Sequence, residues 1–184
     1  QSVTVNYTNV NGCTAQMATS SPVVVNPLPV PTITGPDTVC INSTGNAYGT
    51  ETGMSSYTWS VSAGGAITSG AGTHTITVTW NQVGLQSVYV NYNDSNSCAA
   101  AAPTVYNVLV EPLPVPVITG PASACKESTG NTYTTEAGMT NYQWVVSGGG
   151  SITAGGSDSV NSVTVTWNTV GAQTVSVGYT NALG

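Results

Sequence analysis

The chain has 184 residues, one Lys or Arg against seven Asp or Glu, and only 4% charged residues, where a soluble domain carries about 25%. Nucleic acid is excluded as a partner, because neutralising several phosphates takes several cations and Lys126 stands alone; phosphate-cradling and anion-clamping sites fail for the same reason. A membrane-spanning helix needs about 20 consecutive apolar residues, and the apolar runs here are as short as Ala99 to Ala102.

The formal net charge of -6 favours solubility, yet charges so sparse give little electrostatic steering of a partner. Ser, Thr, Asn and Gly replace them, with Val, Tyr and Trp prominent and Phe absent, a composition that suits strands. No leader or targeting motif is visible, so Gln1 reads as an internal position of a longer precursor.

In chain order, residues 1–26 read as the tail of a repeated unit: Gln1 to Tyr7 matches Gln86 to Tyr92, and Cys13 matches Cys98. Pro27-Leu28-Pro29-Val30-Pro31 then opens a stretch that returns as Pro112-Leu113-Pro114-Val115-Pro116, an offset of 85 residues. The register carries Cys40 onto Cys125, Glu51 onto Glu136, and Trp59 onto Trp144. Two extra residues enter between Gly155 and Asn161, after which Thr77 to Asn81 aligns with Thr164 to Asn168. The expected organisation is therefore residues 1–26 as the C-terminal strands of one repeat, 27–111 as a complete repeat, and 112–184 as a following repeat truncated before its last strand.

Period-2 alternation marks the strands: Tyr57, Trp59 and Val61 share one face, as do Ile76, Val78 and Trp80, and Val88, Val90 and Tyr92. Strands are expected near 30–35, 46–51, 56–62, 66–69, 74–80, 86–93 and 103–110, with Gly64-Gly65, Gly70 to Gly72 and Asn81 to Gly84 as turns. Seven short strands with one apolar face each predict an all-β, two-sheet antiparallel sandwich. The proline-alternating connections before residues 31 and 116 predict stiff, extended linkers.

The Pro-rich opening, Val39-Cys40 before Ser43-Thr44-Gly45, Tyr57-x-Trp59-x-Val61, Thr77-Val78-Thr79-Trp80-Asn81-x-x-Gly84, and Val88-x-Val90-x-Tyr92 leading to Cys98 together resemble the PKD-like, immunoglobulin-type repeats of large Bacteroidetes cell-surface and type IX-secreted proteins, including gliding and adhesion filaments. That resemblance implies tandem sandwich repeats in an extracellular, cell-surface protein, where they serve as spacers.

Cys40 and Cys98 are the only cysteines in the complete repeat and are expected to form its disulfide, with free buried thiols or a metal site as the alternatives. His74 has Asn161 as its counterpart, so a catalytic relay built on it would exist in one repeat only and a surface role is the better reading. No catalytic residue, cofactor or metal ligand is assigned. Glu51 and Glu136 recur in a loop; calcium would need clustered carboxylates that Asp37 and Asp94 do not supply in both repeats, so each Glu is expected to accept backbone N–H bonds and fix its loop. Trp59, Trp80, Trp144 and Trp167 fall on apolar faces and are assigned to cores in preference to a sugar-stacking platform.

Thr38 in Asp37-Thr38-Val39 and Ser159 in Asp158-Ser159-Val160 fit the acceptor pattern for O-glycosylation that the resemblance implies. Asn6, Asn42 and Asn93 head N-glycosylation sequons in form only. The functional reading is a non-catalytic structural spacer of an extracellular adhesin, stalk or filament. Its partners would be neighbouring repeats and other copies in a filament. The alternative is a glycan- or matrix-binding module using loops such as Gly64 to Gly72. With the last strand of one repeat and the first strands of the other both missing, Ser21 to Val25 is expected to complement the incomplete repeat of a neighbouring chain.

Overall fold

A computed structural model describes residues 1–183 as an all-β chain of fourteen strands. β1 (Ser2–Val5) and β2 (Thr19–Pro22) form an antiparallel hairpin whose residues are exposed. Seven strands follow: β3 (Thr38–Cys40), β4 (Asn46–Gly49), β5 (Ser55–Val61), β6 (Gly65–Ser69), β7 (Thr75–Trp80), β8 (Gly84–Asn93) and β9 (Thr104–Glu111). They build a four-stranded sheet, β3-β9-β8-β5, and a three-stranded sheet, β4-β7-β6.

The strict alternation of β7 and β8 turns every second residue inward: Ile76, Val78 and Trp80 from one sheet meet Val88 and Val90 from the other, all with no exposed surface. Val39, Tyr48, Trp59, Val108 and Val110 complete this core. Burying such side chains stabilises a fold by about 1.5–3 kcal/mol each. The Ser and Thr residues between them face outward, which is how a chain with 4% charge presents a polar surface.

The same plan recurs in β10 (Asn131–Thr134), β11 (Thr140–Val146), β12 (Gly150–Gly155), β13 (Ser162–Trp167) and β14 (Val175–Thr180), as sheets β10-β13-β12 and β11-β14. Irregularities recur too. Ser56 in β5 and Asn141 in β11 both take φ of 54° at a register shift against the partner strand, and Ile67/Ser69 and Ile152/Ala154 bracket a second pair of shifts. Each is a β-bulge. The loop that carries the two extra residues of the second copy keeps the turn of the first: Val160 N–H donates to Ser157 O where Thr73 N–H donates to Gly70 O.

Two expectations need correction. Residues 30–35 make only an isolated bridge, Thr34 to Gly49, because Pro29, Pro31 and Pro36 lack the N–H that a ladder requires; the first strand of this sandwich is Thr38–Cys40. That strand runs parallel to β9, pairing Thr38 with Leu109 and Cys40 with Glu111, so the sandwich is antiparallel except at this edge. In the second copy, Ser123 to Cys125 occupies the position of β3 but forms no strand, since no strand of the described residues lies beside β14 to receive it.

Candidate functional site

Glu51 follows β4 and faces the proline-rich segment that enters the sandwich. Thr32 N–H lies 3.1 and 3.2 Å from its two carboxylate oxygens, Thr32 Oγ1 2.5 Å from Oε1, and Thr50 Oγ1 2.7 Å from Oε2. Glu136 repeats the clamp, accepting from Val117 N–H at 3.1 and 3.2 Å and from Thr135 Oγ1 at 2.6 Å. Partial burial pushes the Glu51 carboxyl up, but the hydrogen bonds from Thr32 and Thr50 outweigh it and hold it at about 2. The Thr135 hydroxyl and the backbone N–H groups hold Glu136 at about 2 as well. Burial and then the neighbouring Glu51 carboxylate raise Tyr92 to about 12.

The expected role of these glutamates is thus what the geometry contains: each ties a linker to a loop, using N–H and O–H donors in place of a cation. Beside the clamp, Tyr57 O–H donates to Glu51 O at 2.8 Å and accepts from Met54 N–H at 3.0 Å, and Tyr142 does the same with Glu136 and Met139 at 2.7 and 3.1 Å. Among the described residues, no three His, Cys, Asp or Glu side chains converge.

The tryptophans lie in the cores, from 0% exposed at Trp80 to 8% at Trp144, which removes them as a stacking platform. Trp80 Nε1 donates to Tyr48 Oη at 3.2 Å and Trp167 Nε1 to Tyr133 Oη at 3.3 Å, each pair edge to face. Trp59 and Trp144 reach the carbonyls of Thr73 and Val160. His74 is exposed, and what recurs at its position is backbone: His74 O accepts from Thr50 N–H and Asn161 O from Thr135 N–H, both at 2.9 Å.

The intra-repeat disulfide is not formed, and all four cysteines are free. Cys40 lies beside Glu111, level with the start of β8, whereas Cys98 lies beyond the other end of β8, next to the bridge from Asn93 to Ala99. β8 has ten residues, which at a rise of about 3.4 Å sets the two cysteines roughly 30 Å apart. A disulfide requires Cα atoms within about 7 Å. Sharing a repeat said nothing about sharing an end of it.

Thr38 opens β3, half-buried, with its hydroxyl 3.3 Å from Asp37 Oδ1; Ser159 is exposed in the turn between β12 and β13. A Ser–Gln pair that recurs in both copies is not among the residues the sequence singles out. Gln86, 7% exposed, accepts from Ser62 Oγ at 2.5 Å, and Gln173 accepts from Ser147 Oγ at 2.6 Å. The signal was present, because Gln86 shares the inward period with Val88, Val90 and Tyr92.

A family model described as a PKD-like domain matches residues 26–108 and again 111–184. No curated protein matches the chain in sequence.

Proposed function

Since the chain belongs to the PKD-like domain family, we propose that it is a non-catalytic structural spacer of a long extracellular adhesin, stalk or surface filament. The observation that carries this reading is what recurs. Every feature repeated between the two copies, from the Trp–Tyr pairs to the glutamate clamps and bulges, serves the fold or the linker. In this reading residues 1–26 end one repeat, 27–111 form a complete one, and 112–184 begin the next. The Ser/Thr-rich outer faces suit an exposed, cell-surface location, as in Bacteroidetes gliding or type IX-secreted filaments, with Thr38 and Ser159 as O-glycosylation acceptors. Among the described residues, no helix is long and apolar enough to cross a membrane.

The experiment is a replacement in the parent protein. An unrelated β-sandwich of equal length in place of residues 27–111 leaves surface attachment intact if the segment is a spacer. Loss of attachment, with binding of the isolated segment on a glycan array, would support the glycan- or matrix-binding reading instead. Antibody labelling of intact cells tests the location.

A further inference from the structure

We infer that the cysteines pair between consecutive repeats: Cys40 at the exit end of one repeat bonds the cysteine in the β8–β9-type turn of the next. This rests on the tandem-array reading above. The polarity of the repeat puts the two thiols at opposite ends. The chain enters beside the β8–β9 turn, where Thr104 Oγ1 donates to Pro31 O at 2.6 Å, and leaves at Glu111 beside Cys40. In a head-to-tail array, the turn end of each repeat therefore meets the Cys40 end of the one before.

That meeting is present in the chain. Cys40, 2% exposed, has its Sγ 3.6 Å from both side-chain polar atoms of Asn181, which follows β14 of the next copy. Leu183 lines the same hollow as Pro36, Thr38 and Val39. Asn181 occupies the Asp94 position, and it caps the same turn. Asp94 Oδ1 accepts from Asn96 N–H and Cys98 N–H at 2.8 and 2.9 Å, and Asn9 Oδ1 accepts from Asn11 N–H and Cys13 N–H, both at 3.0 Å. Asn181 Oδ1 accepts from Leu183 N–H at 3.0 Å. In both earlier turns the fifth residue is a cysteine whose N–H returns to the capping side chain, the side chain that in the third turn touches Cys40. The position equivalent to Cys98 and Cys13 is the fourth after Asn181, one beyond Gly184 in the repeat register.

The pattern accounts for four free thiols together. Cys40 and Cys125 pair forward, Cys13 and Cys98 pair backward, and none of the four is another's partner. Bond formation releases two protons and two electrons; the acceptor is a second disulfide, oxidised glutathione or an oxidoreductase disulfide, which is reduced to two thiols by thiolate attack through a mixed disulfide.

The test extends the chain after Gly184 with a copy of residues 98–111 and oxidises it with oxidised glutathione. Non-reducing peptide mass analysis is expected to join Cys40 to the appended cysteine and leave Cys98 and Cys125 without an intrachain partner. A bond from the appended cysteine to Cys125, or from Cys40 to Cys98, overturns the inference. A second variant, Asn181→Cys in the original chain, is expected to crosslink to Cys40, with loss of both thiols from the mass spectrum. A folded Asn181→Cys chain that keeps Cys40 free also overturns it. Neither outcome touches the spacer reading, which falls only if the replacement experiment abolishes attachment.

Discussion

Gly70 and Gly155 hold φ of 79° and 67°, and a Cβ built on either would stand 2.0 Å from Thr75 O or 2.3 Å from Ser162 O. Positive φ alone disfavours an L-side chain by about 1–2 kcal/mol, and the backbone carbonyl cannot give way. Gly70→Ala is expected to destabilise the fold by more than about 1 kcal/mol, read as a lower denaturant midpoint with unchanged slope. Gly72, with open space around it and no positive φ, is the control. Tyr48 has a different liability: its hydroxyl is the acceptor for the buried Trp80 N–H. Tyr48→Phe strands that donor and is expected to cost about 1–3 kcal/mol, measured by the same denaturation, with no loss of strand content by circular dichroism.

Strands and linkers meet at the glutamate clamps, which makes them the elements that respond to pH. Both carboxyls are held at about 2 in the fold, against about 4.3 in an unfolded chain. A depressed carboxyl contributes stability that is fully present above the unfolded value and is lost as pH falls toward the folded one. Thermal denaturation from pH 5 to pH 2 is expected to show falling stability, and the double variant Glu51→Gln, Glu136→Gln a flatter profile over that window. Both glutamates are only partly buried, so solvent screening keeps the effect modest. A variant profile as steep as that of the natural chain would assign the acid sensitivity elsewhere.

Across the whole molecule, the clamps bear on shape. Val117 follows Pro112, Pro114 and Pro116, so Glu136 holds the far end of a connection that proline already stiffens. Replacing those three prolines with Gly is expected to leave each sandwich folded while broadening the small-angle scattering distance distribution, because Gly-rich connections behave as flexible coils. An unchanged distribution would place the stiffness in the contact between Cys40 and Asn181 alone.

Much of this protein is determined by local pattern. The inward faces of β5, β7 and β8, the repeat offset, the buried tryptophans and the loop-fixing glutamates all follow from alternation and recurrence, since a period of two sorts side chains between faces without reference to distant residues. Only the tertiary structure decided that β3 lies parallel to β9, and that decision separates Cys40 from Cys98. Which end of a sandwich a residue occupies depends on strand direction and on how far each strand runs, and neither is written in the spacing of cysteines. The same limit explains Cys125, which matches Cys40 in register yet is exposed where Cys40 is buried: a β3-type segment becomes a strand only when a neighbouring strand offers it hydrogen bonds.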